Sequence, residues 1–188
     1  MTHLAKFGPL AAFLNPILAL SSLYVAFVLI GPAALGDPAV FIELARHNPT
    51  PLLIQDALKF ASALIGLTLV IALFIRLRST WAMGFGLLSI LCLVANATLS
   101  LYATTQTANI SQGEQMNTLI GLLGMVSIFL NGPWYLLNNL AGRKNGLLPQ
   151  PLAILGLVMG ALSLLPFFGI IVLALSIPWS VWIGLVLL

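Results

Sequence analysis

Residues 64–75 read Leu64-Ile65-Gly66-Leu67-Thr68-Leu69-Val70-Ile71-Ala72-Leu73-Phe74-Ile75, a run with no charge and no regular alternation. Leu87–Ala95 has the same character. A membrane-barrel strand alternates apolar and polar residues over segments of about ten, and these runs do not. Lipid offers the backbone no hydrogen-bond partner, so only helices and closed barrels can cross it. Both runs are therefore read as helical.

The rest of the chain extends that reading. Of its 188 residues, 61% are hydrophobic and 6% charged, and the mean hydropathy is +1.12. Soluble domains carry about 25% charged residues. A chain this poor in charge cannot cover a water-facing surface, so lipid is its solvent. The expected fold class is all-α, a polytopic transmembrane helical bundle forming one domain over residues 1–188.

A span needs about 20 mostly apolar residues. Six stretches qualify: 9–35, 52–77, 81–103, 116–140, 147–165 and 169–188. The last two arise by folding the chain back at Leu165-Pro166-Phe167-Phe168-Gly169, because proline and glycine punctuate helices. Lys6 ahead of an apolar run resembles a signal peptide. The run is longer than an h-region of about 7–15 residues, so it is read as a retained helix.

Charge orients the bundle. Lys6, Arg76 with Arg78, and Arg143 with Lys144 fall in alternate loops, which the positive-inside rule places in the cytoplasm with both termini. The opposite side carries Asp37, Glu43, Asp56 and Glu114, every acidic residue of the chain, with Arg46 and Lys59 as its cations. A five-span arrangement would move only the C-terminus outside. Trp81 and Tyr102, at opposite ends of the third span, fit interfacial belts. Trp134 and Tyr135 fit one less well, since Asn131-Gly132-Pro133 intervenes.

The first outer loop has structure of its own. Asp37-Pro38 reads as an N-cap followed by proline at the first helical position. It opens a short amphipathic helix to about His47, with Val40, Phe41 and Leu44 on its apolar face and Glu43, Arg46 and His47 on its polar face. Such a helix lies in the membrane interface or covers the bundle as a lid. Asn109-Ile110-Ser111 forms a glycosylation sequon, relevant only in a eukaryotic secretory setting.

Candidate chemistry is sparse. Asp56 and Lys59, three residues apart, share a helix face. The simpler reading is a local pair at the interface, with Lys59 snorkelling to water. Asn15, Asn96 and Asn131 fall within spans, beside Pro16, Thr98 with Ser100, and Gly132-Pro133. Buried amides join helices, and here they also suggest a ligand cavity at the bilayer midplane, as broken transporter helices build. Asn138 and Asn139 lie close to Arg143 and read as helix-end residues. Ser62 with Gly66, and Gly156 with Gly160, are small-residue spacings that let helices approach.

Several classes of chemistry find no support. His3 and His47 lie outside the spans, and Cys92 is alone. No HExxH, GxSxG, Walker A or CxxC pattern occurs, and no span holds two aspartates or a deep carboxylate. No catalytic residue, metal site or cofactor is expected, while a bound lipid is compatible with the composition.

Gly36-Asp37 and its short helix, the helix end Ile75-Arg76-Leu77-Arg78, and Ile177-Pro178-Trp179-Ser180-Val181-Trp182-Ile183-Gly184 together resemble a group of uncharacterised six-helix bacterial membrane proteins, classed as a domain of unknown function. That resemblance implies a bacterial cytoplasmic membrane and carries over no functional residue. The expected role is a non-catalytic subunit or assembly component of a larger membrane complex. The alternative is a small binding or transport protein for an apolar or weakly polar solute or lipid, using the asparagine cavity. Expected partners are membrane lipid and other membrane subunits or further copies of the chain. Nucleic acid is not expected, because the cations sit beside apolar runs.

Overall fold

The computed structural model describes residues 6–106 and 110–188. His3 and the sequon residue Asn109 lie outside them. Among the described residues there is no strand. The helices are α1 (Gly8–Tyr24, continued by a π-helical segment Val25–Ile30), α2 (Pro32–Gly36), α3 (Pro38–His47), α4 (Thr50–Leu77), α5 (Thr80–Gln106), α6 (Ile110–Lys144), α7 (Gln150–Ser163) and α8 (Gly169–Leu187).

Five of these segments are long and apolar enough to cross a membrane: Gly8–Ile30, Thr50–Leu77, Thr80–Gln106, Gln115–Lys144 and Gly169–Leu187. The chain is a multi-pass helical membrane protein. The expected span 147–165 is shorter than the sequence suggests. Gly146, at φ 65°, closes α6, and the Leu147 and Leu148 N–H groups turn back to Gly142 O (2.9 and 3.1 Å). Pro149 is then the N-cap of the next helix, and Pro151 falls in its first turn. The resulting α7 has 14 residues, or about 21 Å of rise, short of the roughly 30 Å hydrocarbon core. The fold-back lies where proline and glycine place it, as a 3₁₀ turn over Pro166–Phe168.

The long helices close into a ring. Packing runs α1 on α4, α4 on α5, α5 on α6, α6 on α7 and α7 on α8, and α8 returns to α1. Lys6 and Arg76 line one shallow depression with Leu187, so the first and last helix ends and the α4–α5 turn meet at a common basic end. Leucines such as Leu64, Leu88 and Leu91 face outward, as lipid requires. Trp81 is exposed toward the basic end and Tyr102 toward the other.

Trp134 and Tyr135 are not belt residues. Both are buried, and they meet Trp179 of α8 edge-on, with ring centroids 4.7–5.8 Å apart. Gly86 makes room for this cluster: a Cβ there would lie 2.7 Å from Trp134 Cδ1 and from Val70 Cγ2. The interior prolines Pro16, Pro133 and Pro178 all sit inside continuous helices. The broken helix suggested by Asn131-Gly132-Pro133 does not occur.

The real irregularity is in the first span. Its last turn is π-helical and ends at Gly31, whose φ 87° and ψ 151° suit a residue without a Cβ. Beyond it, the Asp37 carboxylate accepts from Ala39 N–H (2.9 Å), the N-cap expected for α3. The face α3 buries is shifted from expectation. Ile42 and Ala45 are buried and Val40 is exposed, because α3 leans on α5 and α6 rather than lying free on a lipid surface.

Candidate functional site

The asparagines separate. Asn15 and Asn131 line one cavity of about 140 Å³ together with Ser62, Gly66, Ser89 and Ser127. Three of its polar side chains, Asn15, Ser89 and Ser127, are hydrogen-bonded within the protein. Asn15 Nδ2 donates to Ser180 Oγ (2.9 Å), which ties α1 to α8. Ser89 and Ser127 each approach the other's backbone carbonyl (2.9 and 3.0 Å), a reciprocal clamp between α5 and α6. Trp134 Nε1 is the buried group in this lining without a described partner. Ser62 and Gly66 border this space rather than a tight contact; a Cβ on Gly66 would sit 3.8 Å from Ile90.

Asn96 does not reach that cavity. It lies seven residues beyond Ser89 on α5, about 10 Å along the axis. Its Nδ2 donates to Ile120 O of α6 (2.6 Å), and Gly124 accommodates the amide. The expected three-asparagine cavity is therefore corrected to a two-asparagine one, lined by Asn15 and Asn131.

Gly156 and Gly160 pack inside the chain. A Cβ on Gly156 would overlap the Asn139 amide, and one on Gly160 would lie 2.6 Å from Leu136 Cγ and 2.9 Å from Gly132 O. Asn139 is fully buried, which corrects its reading as a helix-end residue. Its Nδ2 donates to Tyr135 O (2.8 Å) and its Oδ1 accepts from Trp179 Nε1 (3.2 Å), so one amide joins α6, α7 and α8. Asn138 is buried too, donating to Trp134 O (3.0 Å).

The least satisfied polar groups gather on the α3 side, at the opposite end from Lys6, Arg76 and Arg143. A cavity of about 190 Å³ is bounded by the π-helical segment (Ala26, Ile30), Phe41 of α3, Gln55, Asp56 and Lys59 of α4, Ser100 of α5, and Asn117 and Ile120 of α6. Asp56 is only 1% exposed. Lys59 Nζ donates to its Oδ1 (2.9 Å), so the expected pair forms, but as a cavity wall and not at a wetted surface. Asp56 Oδ2 and Gln55 Oε1 are buried without a partner among the described residues. So are Asn96 Oδ1 and Thr104 Oγ1, one helical turn to either side of Ser100. Asn96, Ser100 and Thr104 thus form an i, i+4, i+8 stripe on α5, of which Ser100 reaches the cavity wall. That spacing was visible in the sequence. What was not visible is that Asp56 is buried, facing a cavity walled by Ile30, Phe41, Ser100 and Ile120 from other elements.

Buried polar groups are nearly always bonded, and each exception calls for an explanation. Of the five such atoms among the described residues, Asp56 Oδ2 and Gln55 Oε1 line this cavity, and Asn96 Oδ1 and Thr104 Oγ1 lie one turn to either side of its Ser100 wall on α5. Three are carbonyl or carboxylate oxygens, which can only accept. The arrangement suits a guest that donates hydrogen bonds. A second, apolar groove of about 410 Å³ adjoins it, sharing Ala26 and Gln55 as walls and lined otherwise by residues such as Phe27, Ile170 and Leu173. Among the described residues no three His, Cys, Asp or Glu side chains stand together as metal ligands. Comparison with family models, characterised proteins and solved structures finds no match.

Proposed function

We propose that this membrane protein is a non-catalytic binding protein for a small polar or amphiphilic molecule, held in the cavity between α3, α4, α5 and α6. The observation that carries this reading is the pair of buried, unpartnered acceptors in the cavity wall, Asp56 Oδ2 and Gln55 Oε1. Leaving a polar group unpaired in a low-dielectric interior costs about 1–3 kcal/mol, more for a charged one. A bound donor removes that cost on arrival, which makes the cavity selective for hydrogen-bond donors over apolar molecules. Its volume exceeds the roughly 150 Å³ that admits benzene. α3 closes one side and the irregular end of the first span another; π-helical turns recur at functional sites.

The reading extends to placement. With the basic end in the cytoplasm, as the loop charges favour, the cavity belongs to the opposite, outer leaflet of a bacterial cytoplasmic membrane. The Gly156 and Gly160 face is occupied by α6 of the same chain, so a partner subunit would have to contact another face. Native mass spectrometry of gently extracted protein tests the proposal. An adduct of small-molecule or lipid mass is expected, lost in Asp56→Asn and kept in Asn131→Leu. Stoichiometric foreign subunits and no such adduct would overturn it.

A further inference from the structure

We infer that the guest is a phospholipid whose head group carries a primary ammonium beside its phosphate, the chemistry of phosphatidylethanolamine, with the head in the cavity beneath α3 and an acyl chain in the adjoining apolar groove. The inference rests on the binding role proposed above and adds the ligand class.

Three features select the head group. The free valences are acceptors, Asp56 Oδ2 and Gln55 Oε1, so the guest must bring N–H or O–H donors. Asp56 and Lys59 form a pair of zero net charge, which disfavours a guest of large net charge in so buried a place. Lys59 remains 20% exposed and has donors beyond the one given to Asp56. A zwitterion therefore fits both ends of the pair: its ammonium donates to Asp56 and Gln55, and its phosphate accepts from Lys59. A trimethylated head group would bring the same charge but no donor.

Two features select the tail. The groove is apolar, lies between the first span and the start of α8, and touches the polar cavity through Ala26 and Gln55. A molecule with its polar part against Gln55 has its apolar part directed along Phe27, Ile170 and Leu173. These residues sit in the same half of the bundle as α3, since Phe27 falls in the last turns of the first span and Ile170 in the first turn of α8. Head and chain therefore lie as in one leaflet.

The test offers purified, delipidated full-length protein an equimolar mixture of phosphatidylethanolamine, phosphatidylcholine and phosphatidylglycerol with identical chains. The adducts that survive collisional activation in native mass spectrometry are weighed. Loss of one good hydrogen-bonded contact is worth about tenfold in affinity, so ethanolamine adducts should exceed choline adducts by about that factor. Asp56→Asn should lose the ethanolamine adduct and, with it, the preference. Gln55→Leu, which removes the second acceptor without touching the ion pair, should lower it too. Ser22→Trp, which fills the groove, should weaken all three lipids, and glycerophosphoethanolamine, a head without chains, should leave no lasting adduct. Equal retention of choline or glycerol lipid, still abolished by Asp56→Asn, overturns the ammonium inference while the cavity stands as a ligand site. Adducts indifferent to Asp56→Asn and Gln55→Leu overturn both readings. A lasting adduct of the chainless head overturns the groove.

Discussion

Gly156→Ala and Asn139→Ala form a double-mutant cycle that tests how α6, α7 and α8 are held together. Alone, Gly156→Ala places a methyl group inside the Asn139 amide. Overpacking of this kind costs about 1–3 kcal/mol, against which the helix preference of alanine returns at most about 1 kcal/mol. Alone, Asn139→Ala leaves Trp179 Nε1, 3.2 Å from Asn139 Oδ1, with no acceptor in a fully buried site. That costs about 1–3 kcal/mol, with a further contribution from the void. In the double variant the new methyl enters the space the amide has left. The overlap disappears and part of the void fills, so the double variant should be more stable than the sum of the singles by about 1 kcal/mol or more, within the range for residues in contact. Reversible unfolding in mixed micelles by titration with a denaturing detergent measures all four corners. Additivity within about 0.5 kcal/mol, the behaviour of independent sites, would refute the contact. Dissociation of an oligomer by Gly156→Ala without a change in monomer stability would assign that face to another molecule.

Gly86→Ala should destabilise the protein by about 1–3 kcal/mol through overpacking, because its Cβ meets Trp134 and Val70 at 2.7 Å. The readout is the same titration together with the near-ultraviolet signal of the tryptophans. In a Cys92→Ala background, a cysteine at Glu43 in α3 should react with membrane-impermeant reagent added outside intact cells, and one at Asn145 beyond α6 only after permeabilisation. The reverse pattern would invert the proposed orientation. Asp56→Asn should keep the fold, since the amide is nearly isosteric and still able to accept from Lys59, yet lose the bound adduct. Loss of both together would leave Gln55→Leu to separate stability from binding.

The spans were legible because lipid imposes a one-dimensional criterion, length and apolarity, that a sequence carries directly. The N-cap at Asp37 was legible because its chemistry is local to three residues. Three misreadings share a cause. Asp56 and Lys59 account for each other through their spacing, so nothing in the sequence demands that Asp56 also be buried; that depends on the first span, α3, α5 and α6 enclosing the cavity it faces. Asn139 stands four residues before Arg143 in sequence, yet Gly156 and Trp179, from two other helices, define its surroundings. Asn96 was grouped with Asn15 and Asn131 by residue type and span, but its depth along α5 sets it against Ile120. In each case the deciding contact comes from a helix distant in the chain. The short α7 is different: the turn at Gly146 and the N-cap at Pro149 are local features of the sequence, and they leave Leu147 and Leu148 outside the helix despite their hydropathy.

The most direct test of the binding cavity is an experimental density map of the protein in nanodiscs made from its own membrane lipids. The account predicts density beneath α3 within hydrogen-bonding distance of Asp56 Oδ2 and Gln55 Oε1, continuous with a chain running past Phe27. A cavity closed by repacked side chains, with Asp56 Oδ2 bonded inside the protein, would contradict it, and so would one holding only water.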